Sequence, residues 1–211
     1  MQIQKFYIPL TVTLGTLMFF WFVYWIFFSA VAITNAPPRG DVIVAFGDSL
    51  TVGVGAPLGQ DYVSQVSARL EMPILNRGVS GNTSAQALAR LENDVLSIRP
   101  DTVILLIGGN DFLQSVKMEE TFKNIRTIVK KIQESGAVVV LVGIRGGVLS
   151  DPYYEAFESV HEEFGTAFVP NIMKGIVARS DLMSDDRIHP NDAGYARFAD
   201  RIYPVLADLY K

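Results

Sequence analysis

The stretch "VIVAFGDSLTVGVG", Val42 to Gly55, carries a short β-branched apolar run straight into Gly-Asp-Ser and then into more glycine. A run that is apolar at every position suits a strand covered on both faces, which requires helices above and below its sheet. Similar runs recur, and strands are expected at Val42–Phe46, Ile74–Asn76, Thr102–Ile107, Ala137–Val142 and Ala167–Val169. Between them come helical patterns at about Tyr62–Leu70, Ser84–Ile98, Met118–Glu134 and Tyr153–Phe164, with a last one near Ala193–Leu209. This alternation predicts an α/β fold, a parallel sheet flanked by helices on both sides. In open sheets of this kind ligands bind beyond the carboxyl ends of the strands. The polar residues that follow each strand therefore carry the functional question.

Four features stand at those positions. Gly47-Asp48-Ser49 follows the first strand, "NRGVSGNTS" (Asn76 to Ser84) the second and "GGND" (Gly108 to Asp111) the third, while "DRIHPNDAGYA" lies near the chain end. Together they supply the parts that acyl transfer needs. A serine hydroxyl is a poor nucleophile until an imidazole takes its proton, and the imidazole needs a carboxylate to fix its tautomer. Ser49 is the candidate nucleophile, although a serine here also serves as an ordinary helix N-cap. His189 is the candidate base, because the other of the two histidines, His161, sits in a helical pattern among glutamates and reads as solvated surface. Asp186 lies three residues before His189, a one-turn spacing, with Asp185 as the alternative. Donors for a developing oxyanion are the N–H groups of Ser49 and Gly81 and the side-chain amide of Asn110. Asn110 also has a reading as turn chemistry, and Asp48 and Asp111 read as braces of their turns without a catalytic step.

The bulk numbers narrow the class. A chain of 211 residues makes one sizeable domain. Its net charge of −4 and lack of any basic run give no sign of a nucleic-acid partner. With no cysteine and only two histidines, a metal site would rest on carboxylates alone, and neither metal nor cofactor is expected. Leu10 to Ile33 is almost entirely apolar and matches the roughly 20 residues a helix needs to cross a bilayer. Residues 1–34 are thus expected to be an N-terminal transmembrane anchor, residues 35–40 a linker marked by Pro37-Pro38, and residues 41–211 the exported domain. Ala30-Val31-Ala32 offers the alternative of a cleaved export signal that would leave a secreted or periplasmic protein.

"GDSLTVGVG", "GVSGNTSAQALARL", "LLIGGNDFL" and "DDRIHPNDAGYARFA" resemble, in order, the four signature blocks of the GDSL-type (SGNH) hydrolase family. The resemblance extends over nearly everything from Asp41 onward and is strongest to its lysophospholipase, acyl-CoA thioesterase and arylesterase branch of small exported bacterial enzymes. It implies a flavodoxin-like three-layer α/β/α sandwich with a five-stranded parallel sheet. It also implies Ser49 as nucleophile, Asp186 and His189 as its partners, and Ser49, Gly81 and Asn110 as the oxyanion hole. The long hydrophobic leader departs from the shorter cleavable signal usual in such relatives. The expected activity is hydrolysis of acyl esters or thioesters of small molecules or lipids. Deacetylation or acyl transfer on envelope glycans is the alternative. Phe112, Leu113, Val148, Leu149, Ile172, Met173, Ile176 and Val177 are candidates for an acyl channel, with ordinary packing as the competing role.

Overall fold

The computed structural model describes residues 31–145 and 151–211. Five strands, β1 (Ile43–Gly47), β2 (Ile74–Gly78), β3 (Thr102–Leu106), β4 (Val138–Val142) and β5 (Ala167–Val169), form one parallel sheet in the order β2-β1-β3-β4-β5. That order is the flavodoxin-like one, with its switch point between β1 and β3. Ile43 pairs with both Ile74 and Thr102, so Gly47, Gly78 and Leu106 end in register at one edge of the sheet.

Alternation within the strands divides the core. Ile43, Ala45, Ile104, Leu106, Val138 and Val140 face helices α2 (Tyr62–Leu70) and α7 (Asp192–Leu209). Val44, Phe46, Val103, Leu105, Val139 and Leu141 face α3 (Ser84–Asp94), α5 (Met118–Glu134) and α6 (Pro152–Phe164). Both faces of β1, β3 and β4 are therefore dry, which is why those strands are apolar at every position. Strand β2 lies at the sheet's margin and leaves Leu75, Asn76 and Arg77 exposed.

Three differences from the sequence-based elements stand out. Two short helices, α1 (Ser49–Val52) and α4 (Gly109–Leu113), begin directly beyond β1 and β3. The helix expected to reach Ile98 stops at Asp94 and continues as one 3₁₀ turn, Leu96–Ile98. Pro100 disfavours helical geometry at Arg99, which sits at φ 54°. His161 is not on a solvated face: its ring stacks on Phe168 at 4.8 Å and its Nδ1 meets the Thr166 carbonyl at 2.8 Å.

Residues ahead of β1 are tied to the sheet edge opposite α1 and α4. Thr34 N–H donates to Gly165 O at 2.8 Å, and the Asn35 amide donates to Gln133 O and Ala137 O at 2.9 and 3.0 Å. Ile33 packs against the α2/α7 side of the core. Contacts divide the chain at this point, into Met1–Ala32 and Ile33–Lys211. Among the described residues no helix is long and apolar enough to cross a membrane. The expected span falls almost wholly outside the described residues.

Candidate active site

Strand β1 ends in Gly47, where a side chain has no room: a Cβ there would lie 2.1 Å from Leu106 O and 2.3 Å from Thr51 Oγ1. The close approach lets the chain turn at once into α1. Asp48 caps that helix, its Oδ1 accepting from Leu50 N–H at 3.0 Å, and Ser49 is its first residue. Ser49 is therefore not the N-cap. Helix α1 is itself pinned to β2 by the Asn76 amide, which donates to Thr51 O at 2.6 Å. Burial pushes the Asp48 carboxyl up to about 6, only partly offset by the Leu50 N–H and by His189.

His189 arrives from the other end of the chain on an exposed turn. An isolated antiparallel bridge between Met183 and Pro190 closes the turn, and Ser184 N–H donates to His189 O at 2.9 Å. Asp186 Oδ1 accepts from the N–H groups of Ile188 and His189 at 2.8 and 2.9 Å and from Ser184 Oγ at 2.8 Å. Its other oxygen, Oδ2, lies 2.6 Å from His189 Nδ1. The imidazole, followed by those two backbone donors, holds the Asp186 carboxyl far below the usual carboxylate range. With Nδ1 donating to Asp186, His189 Nε2 is left as an acceptor, and it lies 2.8 Å from Ser49 Oγ. Asp185, the alternative partner, makes no hydrogen bond to the ring.

The other expected donors gather beside the serine. Gly81 sits at φ 79°, backbone geometry that favours glycine, in the loop between β2 and α3. Neither the Ser49 nor the Gly81 N–H donates to a backbone acceptor among the described residues. Asn110 is the second residue of α4, and its amide donates to Asn82 O at 3.0 Å while approaching Asp48 Oδ2 at 3.4 Å. Asp111, expected as a brace of its own turn, instead braces its neighbours. It is buried and accepts from Ser84 N–H at 2.7 Å, Ser84 Oγ at 2.6 Å and Thr121 Oγ1 at 3.2 Å. It thereby joins the start of α3 to α4 and α5. Sequence reasoning missed the carbonyl of Asn82, a backbone group that no residue type announces.

Ser49, Gly81, Asn110 and His189 all open on one cavity of about 500 Å³. Its apolar wall is formed by Leu50, Val54, Phe112, Leu113, Ile144, Met173, Val177 and Ile188. Ile172 and Ile176, expected as possible channel residues, are fully buried in the core, whereas Met173 and Val177 line the cavity. Val148 and Leu149 lie outside the described residues. Among the described residues no cluster of three His, Asp or Glu side chains is arranged to hold a metal ion.

Comparison with known proteins finds relatives over most of the chain. The chain is 29% identical to an esterase TesA of Pseudomonas aeruginosa over 190 residues, covering 85% of this chain and 94% of that one. It is 27% identical to a thioesterase 1/protease 1/lysophospholipase L1 of Escherichia coli, covering 87% and 91%. A crystal structure of TesA superposes with a TM-score of 0.75 at 28% identity, covering 80% of this chain and 99% of that one. Residues 45–197 match the model of the GDSL-like lipase/acylhydrolase family, and the chain belongs to that family.

Proposed function

We propose that this protein is a serine esterase that hydrolyses acyl ester or thioester bonds through an acyl-enzyme on Ser49. The observation that carries this reading is the line Ser49 Oγ, His189 Nε2, His189 Nδ1, Asp186 Oδ2, with links of 2.8 and 2.6 Å, opening on an apolar cavity. Ser49 Oγ attacks the acyl carbon while His189 Nε2 takes its proton. Asp186, ionised and doubly held by backbone N–H groups, fixes the tautomer and stabilises the imidazolium. The substrate oxygen becomes an oxyanion between the free N–H groups of Ser49 and Gly81 and the amide of Asn110. His189 then returns the proton to the leaving alkoxide or thiolate. A water activated by the same imidazole releases the acid and restores Ser49.

The apolar wall supports acyl or aryl esters over sugar acetates, because burying polyhydroxylated groups there would strand their hydrogen bonds. The esterase, thioesterase and lysophospholipase names of the relatives support the same substrate class. The test is hydrolysis of p-nitrophenyl butyrate and octanoate. Ser49→Ala should lower kcat/KM roughly ten-thousandfold with little change in Tm. A wild type no faster than this variant would sink the esterase reading.

We also propose that residues 1–34 deliver the domain across a membrane and keep it anchored there, on the length and apolarity of Leu10–Ile33. Fractionation of cells expressing the full chain tests this. A shortened soluble product beginning near Ile33 would show cleavage in place of anchoring.

A further inference from the structure

Arg90 lies on α3, outside the cavity, yet its guanidinium reaches three segments that end at the site. Its Nε donates to Asn82 Oδ1 at 2.6 Å, its Nη2 to Gly47 O at 2.8 Å and its Nη1 to Arg77 O at 3.0 Å. The same Nη1 bonds Asp94 Oδ2 at 2.9 Å, and the group lies over the Phe46 ring, 4.3 Å from its centroid. Two of the three anchored atoms, Gly47 O and Asn82 Oδ1, are one short step from a candidate oxyanion donor. Gly47 O precedes Asp48-Ser49, Asn82 follows Gly81 directly, and Asn82 O is the acceptor that orients the Asn110 amide.

We propose that Arg90 is the positioning residue of the oxyanion site. Its rigid fork fixes the β1 terminus, the β2 terminus and the Gly81-Asn82 loop relative to one another, so that all three donors converge on one point. The proposal rests on the esterase reading above and adds a residue that touches no substrate. A planar guanidinium suits this task, because its donors leave in fixed directions, whereas a lysine offers a single mobile centre. The competing role is helix support through the Arg90–Asp94 pair, spaced i,i+4, and pairs of that kind contribute little.

The experiment measures kcat and KM on p-nitrophenyl butyrate together with the affinity of an alkyl trifluoromethyl ketone. That ligand adds reversibly to a serine and places an oxyanion where the reaction does. Arg90→Met keeps an unbranched helix-forming side chain without the donors and should lower kcat roughly tenfold to a hundredfold, the cost of a donor set misplaced by about an ångström. KM should stay within about twofold, and trifluoromethyl ketone affinity should fall in parallel with kcat/KM. Arg90→Lys should recover only part of the loss, and Asp94→Asn should stay within about twofold of wild type. Asn82→Ala removes one anchor while keeping the arginine. It should show the same kcat-only loss and be non-additive with Arg90→Met. If Arg90→Met fails to fold, Asn82→Ala carries the test alone. Three outcomes overturn the proposal: a folded Arg90→Met with unaltered kcat, a loss that follows Tm while ketone affinity stays constant, or an Asp94→Asn variant as impaired as Arg90→Met. The esterase reading is separable from these results, since it fails only if wild type is no faster than Ser49→Ala.

Discussion

Ser49 and His189 approach to 2.8 Å, but unlike means hold them in place. The serine rides on a sheet terminus that is dry on both faces, with Gly47 packed against Leu106 O and Asp48 buried behind it. The histidine rides on a turn exposed to solvent, held by one bridge and by the hydrogen bonds that converge on Asp186. Burial gives the serine a fixed place and leaves a strained electrostatic environment beneath it. Exposure leaves the histidine with a carboxylate partner that touches solvent, so its alignment depends on a few directed hydrogen bonds.

Substitutions on each side should reveal this contrast. Apart from loss of the nucleophile itself, the largest effect is expected on the exposed turn. Asp186→Asn leaves the backbone contacts available but favours the wrong imidazole tautomer, and kcat should fall roughly a thousandfold or more. A loss below about tenfold would mean that the turn, and not the carboxylate, aligns the ring. On the sheet side, Asn110→Ala should reduce kcat by roughly a hundredfold with KM little changed, as removal of one oxyanion donor does elsewhere. An unaltered kcat would return Asn110 to a structural role in α4.

The buried carboxylate should declare itself in stability rather than rate. In the fold Asp48 binds its proton more tightly than an unfolded chain does, with a value of about 6 against the ordinary 3.8. Its contribution is therefore favourable below about pH 4 and is lost as pH rises through about 6. Relative to Asp48→Asn, the wild type should lose up to about 3 kcal/mol of unfolding free energy across that window. Denaturant titrations of both proteins at pH 4 and pH 7 would show it, and a constant difference would refute the burial argument. The smallest effect is expected at Ser184, whose hydroxyl donates to Asp186 at 2.8 Å. Ser184→Ala should lower kcat about fivefold, the worth of one hydrogen bond of about 1 kcal/mol.

The same contrast governs what the sequence discloses. Strands β1, β3 and β4 were legible because dry faces on both sides demand unbroken apolar runs, and "VVVLV" has one interpretation. Helices α1 and α4 were not, since four or five residues are too few to show a helical period. Spacing pointed to Asp186 and His189, which share one turn. It did not separate Ile172 and Ile176, which enter the core, from Met173 and Val177, which line the cavity. Each pair is spaced four residues apart, and an apolar residue type reports burial without reporting on which side. Arg90 reads in sequence as one more surface arginine of an amphipathic helix, because three of its four acceptors, two of them backbone carbonyls, lie on other segments that only the fold brings to it.

The tie of Thr34 and Asn35 to the edge opposite the cavity has a practical consequence for anyone handling the domain. A five-residue strand spans about 17 Å, so the point where the polypeptide enters and the mouth where substrate enters are at opposite ends of the sheet. A bead, chip or fluorescent tag attached ahead of Ile33 would leave the mouth unobstructed. The same attachment made after Arg39 would first have to break the hydrogen bonds that seat the entering chain.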